Sequence, residues 1–337
     1  MEHKNEIICD TSYNNMYDML KDCVSEVQEN AKNKGMPGIS TGFSNLDKLT
    51  CGFEPGKVYV IGARPAMGKM AFMLSMIRGI TLESRVPVLL FSTNHMKSDY
   101  IYRLLSIQCD IPTSQLHKGW LKPHEWDHLD KRTPSLLNVP LFIHDSLDLP
   151  LEELVETARQ CIKEKGIKII FVDCLQMIDF AKAEGTPSER VAKVMSALKE
   201  LAYETKLPVV VGAMLNRGVE HREGLDGKRP QLRDLANSSF IEELADVIMI
   251  VYRPEYYMIF EDIHGRKFRG KMEIIVMKNA LRPLGSLFLD YKQETGLVSS
   301  REDTNASKPV LLKDFRTNNK AVKSLIKTFD LKEDMPF

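Results

Sequence analysis

Residues Val58-Tyr59-Val60-Ile61-Gly62-Ala63-Arg64-Pro65-Ala66-Met67-Gly68-Lys69-Met70 join a short apolar strand pattern to a turn that contains two glycines and ends in lysine. The apolar residues that come next favour a helix. A strand, a glycine-containing turn and a helix are the pattern of a P-loop, in which backbone N–H groups at the helix N-terminus surround phosphate oxygens. The lysine then contacts the terminal phosphates. This stretch therefore predicts a phosphate site in an α/β protein.

The last position of the pattern departs from what the chemistry needs. A P-loop normally ends in serine or threonine, whose hydroxyl ligates Mg²⁺, and this chain has Met70 there. A thioether is a poor ligand for a hard cation that prefers oxygen. We therefore expect the loop to bind the phosphates of ATP, ADP or another nucleoside triphosphate and to hold Mg²⁺ weakly. The residues expected to contact nucleotide are Gly62, Arg64, Pro65, Ala66, Met67, Gly68, Lys69 and Met70.

A second acidic element fits the same site. Ile169-Ile170-Phe171-Val172-Asp173 is an apolar strand pattern that ends in a carboxylate. In P-loop proteins a carboxylate at the end of such a strand holds the metal ion or its water. Asp173 is accordingly the predicted, weak Mg²⁺ ligand.

Charge and cysteine content limit the class of protein. Lysine plus arginine number 46, and aspartate plus glutamate also number 46, so no overall basic field attracts nucleic acid. The cysteines are Cys9, Cys23, Cys51, Cys109, Cys161 and Cys174, without a CxxC pair. This spacing indicates reduced thiols rather than disulfides or a zinc site. Because the N-terminus is polar and no apolar run is long enough to span a membrane, we expect a cytoplasmic protein without membrane contact.

The spacing of elements along the chain predicts an N-terminal helix followed by an α/β region. Apolar residues from Met16 to Ala31 recur at helical spacing, before a break at Gly35-Met36-Pro37-Gly38. This amphipathic helix either packs on its own domain or docks onto a neighbouring subunit. Strands are predicted at Lys57–Gly62, Pro87–Ser92, Val139–His144, Lys168–Asp173, Pro208–Ala213, Asp246–Tyr252 and Glu273–Lys278, and helices at Lys69–Ile80, Leu151–Lys165 and Ser188–Thr205. Apolar strands separated by helices indicate a mostly parallel sheet with helices on both faces.

Several short motifs, in order, resemble the DnaB-like family of replicative hexameric DNA helicases. They are Ser40-Thr41-Gly42-Phe43-Ser44-Asn45-Leu46-Asp47-Lys48-Leu49-Thr50, Gly52-Phe53, Ala63-Arg64-Pro65-Ala66-Met67-Gly68-Lys69, Asp173-Cys174-Leu175-Gln176, Leu215-Asn216-Arg217, Lys228-Arg229-Pro230, Ala245-Asp246 and Tyr252-Arg253. The resemblance implies a RecA-like P-loop NTPase fold that assembles into a homo- or hetero-oligomeric ring, encircles single-stranded DNA and hydrolyses nucleotide at subunit interfaces.

The same resemblance adds residues to the predicted sites. It implies that Gln176 and Lys278 contact nucleotide, and that the stretches 181–190 and 217–229 face DNA. The basic residues of the second stretch that we expect to contact DNA are Arg217, Arg222, Lys228 and Arg229. A charged surface loop without DNA explains these four residues equally well.

Four positions depart from the catalytic pattern of the family. Met70 replaces the Mg²⁺-binding threonine, and Asn94 stands where the family has the glutamate that acts as base. Met214 replaces the glutamine that senses the γ-phosphate, and Ala280 replaces the arginine finger, with Arg282 two positions further on. Asp234-Leu235-Ala236-Asn237-Ser238 also lacks the arginine and glutamate that follow Asp-Leu in the family.

These losses are large in rate terms. Removing a general base typically lowers the rate about 10²–10⁴-fold, and removing an arginine finger lowers it roughly 10³–10⁵-fold. Three functions stay open: a nucleotide-binding, poorly hydrolysing ring subunit or helicase adaptor in DNA replication; an active ATP-dependent 5′–3′ DNA helicase; and an interaction module that binds no nucleotide. The active helicase would need substitutes, such as Arg282 for the finger and Glu54 or Asp173 for the base.

The expected organisation has three parts. Residues 1–38 hold the amphipathic linker helix, residues 39–300 form the RecA-like domain, and residues 301–337 form a flexible basic tail. A short helix is predicted near Lys320–Phe329. The tail ends in Glu333-Asp334-Met335-Pro336-Phe337, which resembles the acidic tip of bacterial single-stranded-DNA-binding proteins. This tip is either a partner-recruiting motif or a frayed end.

Overall fold

The computed structural model describes residues 15–32, 36–179, 185–224, 227–236, 238–262, 265–280 and 282–300. The predicted helix near Lys320–Phe329 and the acidic tip lie outside the described residues, as does most of the first half of the 181–190 stretch. The described residues from Pro37 to Ser300 form one compact unit. The N-terminal helix belongs to another unit and is described by itself.

The N-terminal helix α1 spans Met16–Lys32 and matches the predicted amphipathic helix. Asp18 lies in its first turn and Lys32 in its last, where each charge opposes the helix dipole favourably. None of the helix residues is buried, and Met16, Leu20 and Val27 are exposed. The two interpretations of what this apolar side contacts both stay predictions.

The main unit is built on one sheet, in which nine described strands follow the order β3-β2-β4-β5-β1-β6-β7-β8-β9. The strands are β1 Val58–Ala63, β2 Val88–Ser92, β3 Leu141–Asp145, β4 Ile169–Asp173, β5 Val209–Met214, β6 Val247–Tyr252, β7 Lys271–Asn279, β8 Gly285–Lys292 and β9 Leu297–Ser299. The pairs from β3 to β6 are parallel, and the pairs from β6 to β9 are antiparallel. The mostly parallel sheet that the sequence predicts is confirmed.

Helices cover both faces of this sheet. They are α2 Ser44–Thr50, α3 Lys69–Arg78, α4 Lys97–Cys109, α5 Thr113–Lys118, α6 Pro123–Arg132, α7 Leu151–Lys165, α8 Pro187–Thr205, α9 Gly218–His221 and α10 Ser238–Leu244. One apolar cluster joins α3 and α4 to alternate strand residues such as Tyr59 and Phe171. The other joins α7 and α8 to the residues between them, such as Val60 and Val172. Successive strand side chains point to opposite faces, so strands buried on both faces are apolar nearly throughout.

The predicted elements are present with small shifts at their ends. The seven predicted strands correspond to β1–β7 within two residues at each end, and three predicted helices correspond to α3, α7 and α8. The helix predicted to reach Ile80 ends as α3 at Arg78 and continues as a π-helical turn, Gly79–Glu83. The sequence pattern missed β8, β9 and the helices α2, α4, α5, α6, α9 and α10. β8 is only partly buried and α6 has no buried residue, so neither shows a clear apolar period.

The topology brings the ends of distant segments together. β1 lies between β5 and β6, and β5 also pairs with β4. The carboxyl ends of these parallel strands therefore meet at one edge of the sheet, which is where α/β folds bind ligands. The turn that follows β1 lies at this edge.

Removing the ring of Phe171 should show how much the fold depends on the face that carries α3. Phe171 is fully buried on β4, with its ring 6.0 Å from that of Phe53. We expect Phe171→Ala to lower the free energy of unfolding by about 3–5 kcal/mol, because it leaves a cavity in the core. The matched change Phe240→Ala, at a ring that is 39% exposed, should cost much less. Equal losses in urea unfolding would contradict this assignment of the core.

Candidate phosphate-binding site

The turn after β1 has the backbone shape of an anion-binding loop. Ala66 and Gly68 have positive φ angles of 64° and 92°, and α3 begins at Lys69. The φ angle of Gly68 is one that L side chains rarely adopt, and a Cβ atom there would also displace Cε of Met272, 2.6 Å away. The first N–H groups of α3 have no acceptor within the helix. They and the positive end of the helix dipole favour an anion at this turn.

Lys69 of this turn forms an ion pair with Asp173. Its Nζ lies 2.6 Å from Oδ1 of Asp173, which ends β4, and both side chains are largely buried. Burial alone would lower the pKa of Lys69, but the negative charge of Asp173 outweighs that effect and raises it. The lysine is therefore cationic in the site.

The end of β5 leaves room for this pair. A Cβ atom on Gly212 would lie 2.7 Å from Oδ1 of Asp173 and 3.0 Å from Nζ of Lys69. Gln176, which follows the acidic strand β4, accepts a hydrogen bond of 3.0 Å from the backbone N–H of Met214. This bond connects the chain after β4 to the end of β5, so Gln176 braces the wall of the site.

A cavity of about 390 Å³ lies at the turn. This volume is within the range of small-molecule sites. Its lining residues are Ala63, Arg64, Pro65, Ala66, Gly68, Lys69, Met70, Ala71, Asn94, His95, Arg103, Asp173, Met214 and Tyr291. The sequence-predicted residues Arg64, Pro65, Ala66, Gly68, Lys69, Met70 and Asp173 thus come together. Asn94 and Met214 join Met70 there, so three of the four altered positions line the cavity.

Comparison with known proteins gives the family of the chain. The family described as "DnaB-like helicase C terminal domain" matches residues 38–299. This chain belongs to the DnaB-like helicase family. It is 32% identical to the replicative DNA helicase DnaB of Leifsonia xyli subsp. xyli, over 75% of this chain and 53% of that protein. It is 29% identical to the replicative DNA helicase DnaC of Bacillus subtilis, over 84% of this chain and 61% of that protein.

Solved structures of similar proteins give the fold. A DnaB-like replicative helicase is 27% identical, with a TM-score of 0.74, over 84% of this chain and 67% of that one. A solved ATPase domain is also 27% identical, with a TM-score of 0.76, over 84% of this chain and 99% of that one. The predicted RecA-like P-loop fold is therefore confirmed.

The similarity covers only part of the larger relatives. The chain spans between one half and about three fifths of the two curated DnaB-like relatives. Among the described residues, no helix is both long and apolar enough to cross a bilayer.

Four predicted nucleotide residues of this DnaB-like chain do not line the cavity: Gly62, Met67, Gln176 and Lys278. Gly62 lies on β1, where a Cβ atom would be 2.8 Å from Cδ2 of Leu235, and Met67 is buried in the core. Gly62 and Met67 therefore support the turn from the core side and do not face the cavity. Sequence reasoning in turn missed His95, Arg103 and Tyr291, which line the cavity. They lie outside the family motifs that we recognised.

Arg64 lines the cavity but uses its guanidinium elsewhere. Nε and Nη2 each lie 2.8 Å from Oε1 of Glu220, and Nη1 donates to the carbonyl of Leu215 at 2.8 Å. Arg64 therefore connects the P-loop to the segment after β5 in this state of the chain.

Lys278 and Arg282 lie at the other edge of the sheet. β7 runs antiparallel to β6, so its end at Asn279 pairs with the start of β6 at Val247. Nζ of Lys278 donates to the carbonyl of Glu242 at 2.6 Å and to that of Glu243 at 3.1 Å. Neither Lys278 nor Arg282 lines the P-loop cavity of its own chain.

The two candidate substitutes for the finger and the base contact each other. The Arg282 guanidinium is bonded to the Glu54 carboxylate, which also pairs with Lys57 at 2.9 Å. Burial would raise the pKa of Glu54, but hydrogen bonds from Arg282 and Lys57 outweigh it and lower that pKa below its usual value. Glu54 precedes β1, whereas the P-loop follows β1. This pair therefore braces the edge of the sheet opposite to the P-loop.

The donors around the cavity suit an anion better than Mg²⁺. Among the described lining residues, Asp173 is the only carboxylate, and Lys69 holds one of its oxygens. Met70 adds a thioether, and the described chain has no cluster of three or more His, Cys, Asp or Glu side chains that suits a metal. Mg²⁺ prefers an octahedral shell of oxygens, and this set provides few of them.

Three of the four residues predicted to contact DNA have partners within the chain. Arg222 pairs with Asp234 at 2.5 Å, and Lys228 donates to the carbonyl of Glu220 at 2.7 Å. Arg229 pairs with Glu273 at 2.7 Å. Arg217 is exposed, so it is the most accessible of the four.

A methyl group at Gly212 should disturb the Lys69–Asp173 pair. We expect Gly212→Ala to lower the free energy of unfolding by about 1–3 kcal/mol, since the added Cβ overlaps the pair. Gly218→Ala is a suitable control, because a Cβ atom there has no neighbour within 4 Å among the described residues. Chemical denaturation of both variants measures the difference, and an unchanged Gly212→Ala protein would contradict this geometry.

Glu54 should stabilise the fold in a pH-dependent way. Its folded-state pKa is lowered from 4.5, so its contribution is complete above pH 4.5 and is lost as pH falls through the lower, folded value. We expect Glu54→Gln to cost about 0.5–1 kcal/mol near neutral pH, because solvent screens this partly exposed pair. The cost should shrink below pH 4.5. Glu83→Gln, at a carboxylate that is 70% exposed, is the surface control in the same unfolding experiment, and an equal cost in both variants would contradict the prediction.

Proposed function

We propose that this DnaB-like chain acts in DNA replication as a subunit of a helicase ring, or as an adaptor of one, that binds nucleotide and hydrolyses it poorly. The carrying observation is one cavity that combines the Lys69–Asp173 pair with Met70, Asn94 and Met214. The residues that bind phosphate are kept there, and groups that would assist hydrolysis are replaced.

Nucleotide binding is supported by the P-loop backbone and its lysine. The positive φ angles at Ala66 and Gly68 give the turn its shape, and α3 directs unpaired N–H groups and its dipole toward the cavity. Lys69 is cationic and has three donors, so it can contact a phosphate oxygen and Asp173 together. ATP, ADP or another nucleoside triphosphate suits this site.

Slow hydrolysis is supported by the side chains that an attacking water would contact in the cavity. Asn94 lines the cavity, and a neutral amide cannot accept a proton at physiological pH. One oxygen of the Asp173 carboxylate is already occupied by Lys69. Met214 has no polar group that could contact a γ-phosphate. A missing base alone lowers the rate by about 10²–10⁴.

Magnesium is proposed to be weakly held, since Met70 and the occupied Asp173 carboxylate replace the usual oxygen ligands. When bound, Mg²⁺ would neutralise phosphate charge, and Asp173 is the residue that would hold it. The residues of this chain position the phosphates without a complete metal shell.

Ring assembly follows from the family resemblance. Lys278 and Arg282 lie at the sheet edge opposite to their own P-loop, so they could serve only the nucleotide of an adjoining helicase-family subunit. Arg282 is already bonded to Glu54, and Ala280 offers no guanidinium. The nucleotide bound to a neighbouring subunit would then have no arginine finger from this chain. An arginine finger raises the hydrolysis rate roughly 10³–10⁵-fold.

Single-stranded DNA is proposed as a weak ligand. Arg222, Lys228 and Arg229 would have to leave partners within the chain to contact phosphates. Arg217 is exposed and needs no such exchange. Such binding, through few charges, should weaken as salt rises.

The distinguishing experiment measures nucleotide binding and turnover in the same protein. We expect ADP and ATP at 100 times their dissociation constants to stabilise the fold by about 2.7 kcal/mol, with turnover far below that of an active ring helicase. Lys69→Ala should abolish the stabilisation, and Lys48→Ala, at an exposed lysine, should retain it. Thermal unfolding and release of labelled phosphate, with and without single-stranded DNA, provide the two measurements.

Two results would favour the other functions. Turnover like that of an active ring helicase, lost in Lys69→Ala, would identify an active DNA helicase with substitute residues. An unchanged melting temperature at millimolar ADP and ATP would identify an interaction module without nucleotide.

A further inference from the structure

Of the charged side chains that line the P-loop cavity, one positive side chain has no ion-pair partner among the described residues. Lys69 and Asp173 neutralise each other at 2.6 Å, and the Arg64 guanidinium is paired with Glu220. Arg103 of α4 also lines the cavity and has no carboxylate within 4 Å in the described part of the chain. The cavity therefore includes a positive charge that forms no ion pair within 4 Å with a described carboxylate.

His95 lies in the same wall, next to Asn94. Ser92 fixes the turn that carries it: the Ser92 hydroxyl donates to the His95 carbonyl at 2.6 Å and accepts from the His95 N–H at 3.2 Å. The imidazole is half-buried, edge-on to the ring of Tyr100 with centroids 6.1 Å apart. Its ring nitrogens make no hydrogen bond to the described residues, so a donor is available to a ligand in the cavity.

A guanidinium and an imidazole contact phosphate through N–H donors, whereas a metal ion contacts it by coordinating the oxygens. A guanidinium presents several N–H groups in a plane and forms paired, charge-assisted bonds with phosphate oxygens. An imidazole adds one N–H donor when neutral. Mg²⁺ would need oxygen ligands that Met70 and the lysine-bound Asp173 do not supply.

We propose that the cavity binds nucleoside di- and triphosphates in their metal-free form, with Arg103 and His95 contacting the phosphate oxygens that Mg²⁺ would otherwise neutralise. The inference rests on the proposed nucleotide binding and specifies which form of the ligand is bound. Mg²⁺ competes with Arg103 and His95 for the phosphate oxygens of the nucleotide. The metal complex of a nucleotide has less negative charge and carries a bulky hydration shell at those oxygens.

Calorimetric titration with ADP, in EDTA and in excess Mg²⁺, tests this assignment in the full chain. The expected affinity in EDTA exceeds that in excess Mg²⁺, because most of the ADP is then bound to the metal. Arg103→Gln should weaken binding in EDTA roughly 10- to 100-fold, the loss typical of a hydrogen bond between charged groups. His95→Phe keeps the ring contact with Tyr100 and should weaken it several-fold. The matched control His128→Phe, at an exposed histidine of α6, should leave it unchanged.

Met70→Thr provides a gain-of-function arm. Restoring a hydroxyl at the end of the P-loop should raise the affinity in Mg²⁺ relative to that in EDTA, whereas wild type shows no such gain. Circular dichroism and melting temperatures of all variants establish that each is folded. A variant that fails to fold is replaced by Arg103→Lys or His95→Gln.

The outcomes separate this inference from the proposed function. Wild-type affinity that is equal in the two buffers, or that rises with Mg²⁺, would overturn metal-free binding while nucleotide binding stands. Tighter binding in EDTA that neither Arg103→Gln nor His95→Phe alters would overturn the role of these two residues. Absence of ADP binding in both buffers would overturn the proposed function and, with it, this inference.

Discussion

The ion pair between Lys69 and Asp173 is the contact on which the phosphate site depends. It joins the turn after β1 to the end of β4, two segments far apart in sequence, with its two charged atoms 2.6 Å apart. Both side chains are largely buried, and a buried charge without its partner is strongly destabilising. The pair therefore fixes the distance between the two strand ends, and the rest of the cavity wall is arranged around it.

The surrounding residues fit this pair by shape and by hydrogen bonding. Gly212 has no side chain, so the Lys69–Asp173 pair fits against the end of β5. Gln176 braces the end of β5 through the Met214 N–H, and Thr93 accepts from the N–H of Cys174 at 2.8 Å while donating to its carbonyl at 3.1 Å. These bonds make the end of β4 rigid. The Asp173 carboxylate is therefore held in place between the hydrogen-bonded end of β4 and Lys69.

Sequence patterns predicted most strands of the sheet and most of the P-loop residues that line the cavity. The strands β1, β2, β4, β5 and β6 were predictable because burial on both faces makes them apolar nearly throughout. Lys69 was predictable because it ends the turn after one such strand, and Asp173 because it ends another. The roles of individual side chains were less accessible. Arg64 belongs to the family motif, yet its guanidinium binds Glu220, and Gln176 braces β5. Glu54 and Arg282, considered as substitutes for missing catalytic groups, are bonded to each other.

The amino-acid order by itself determined the family, the parallel sheet and the position of the phosphate turn, because these depend on local periodicity and on short motifs. It also determined which chemical groups are missing, since Met70, Asn94 and Met214 are read directly from the chain. Only the tertiary structure decided that His95 and Arg103 share a cavity with Lys69, and that most of the basic residues after β5 are paired internally. The physical reason is that such contacts are set by the crossing of strands and helices far apart in sequence, where spacing along the chain gives no distance in space.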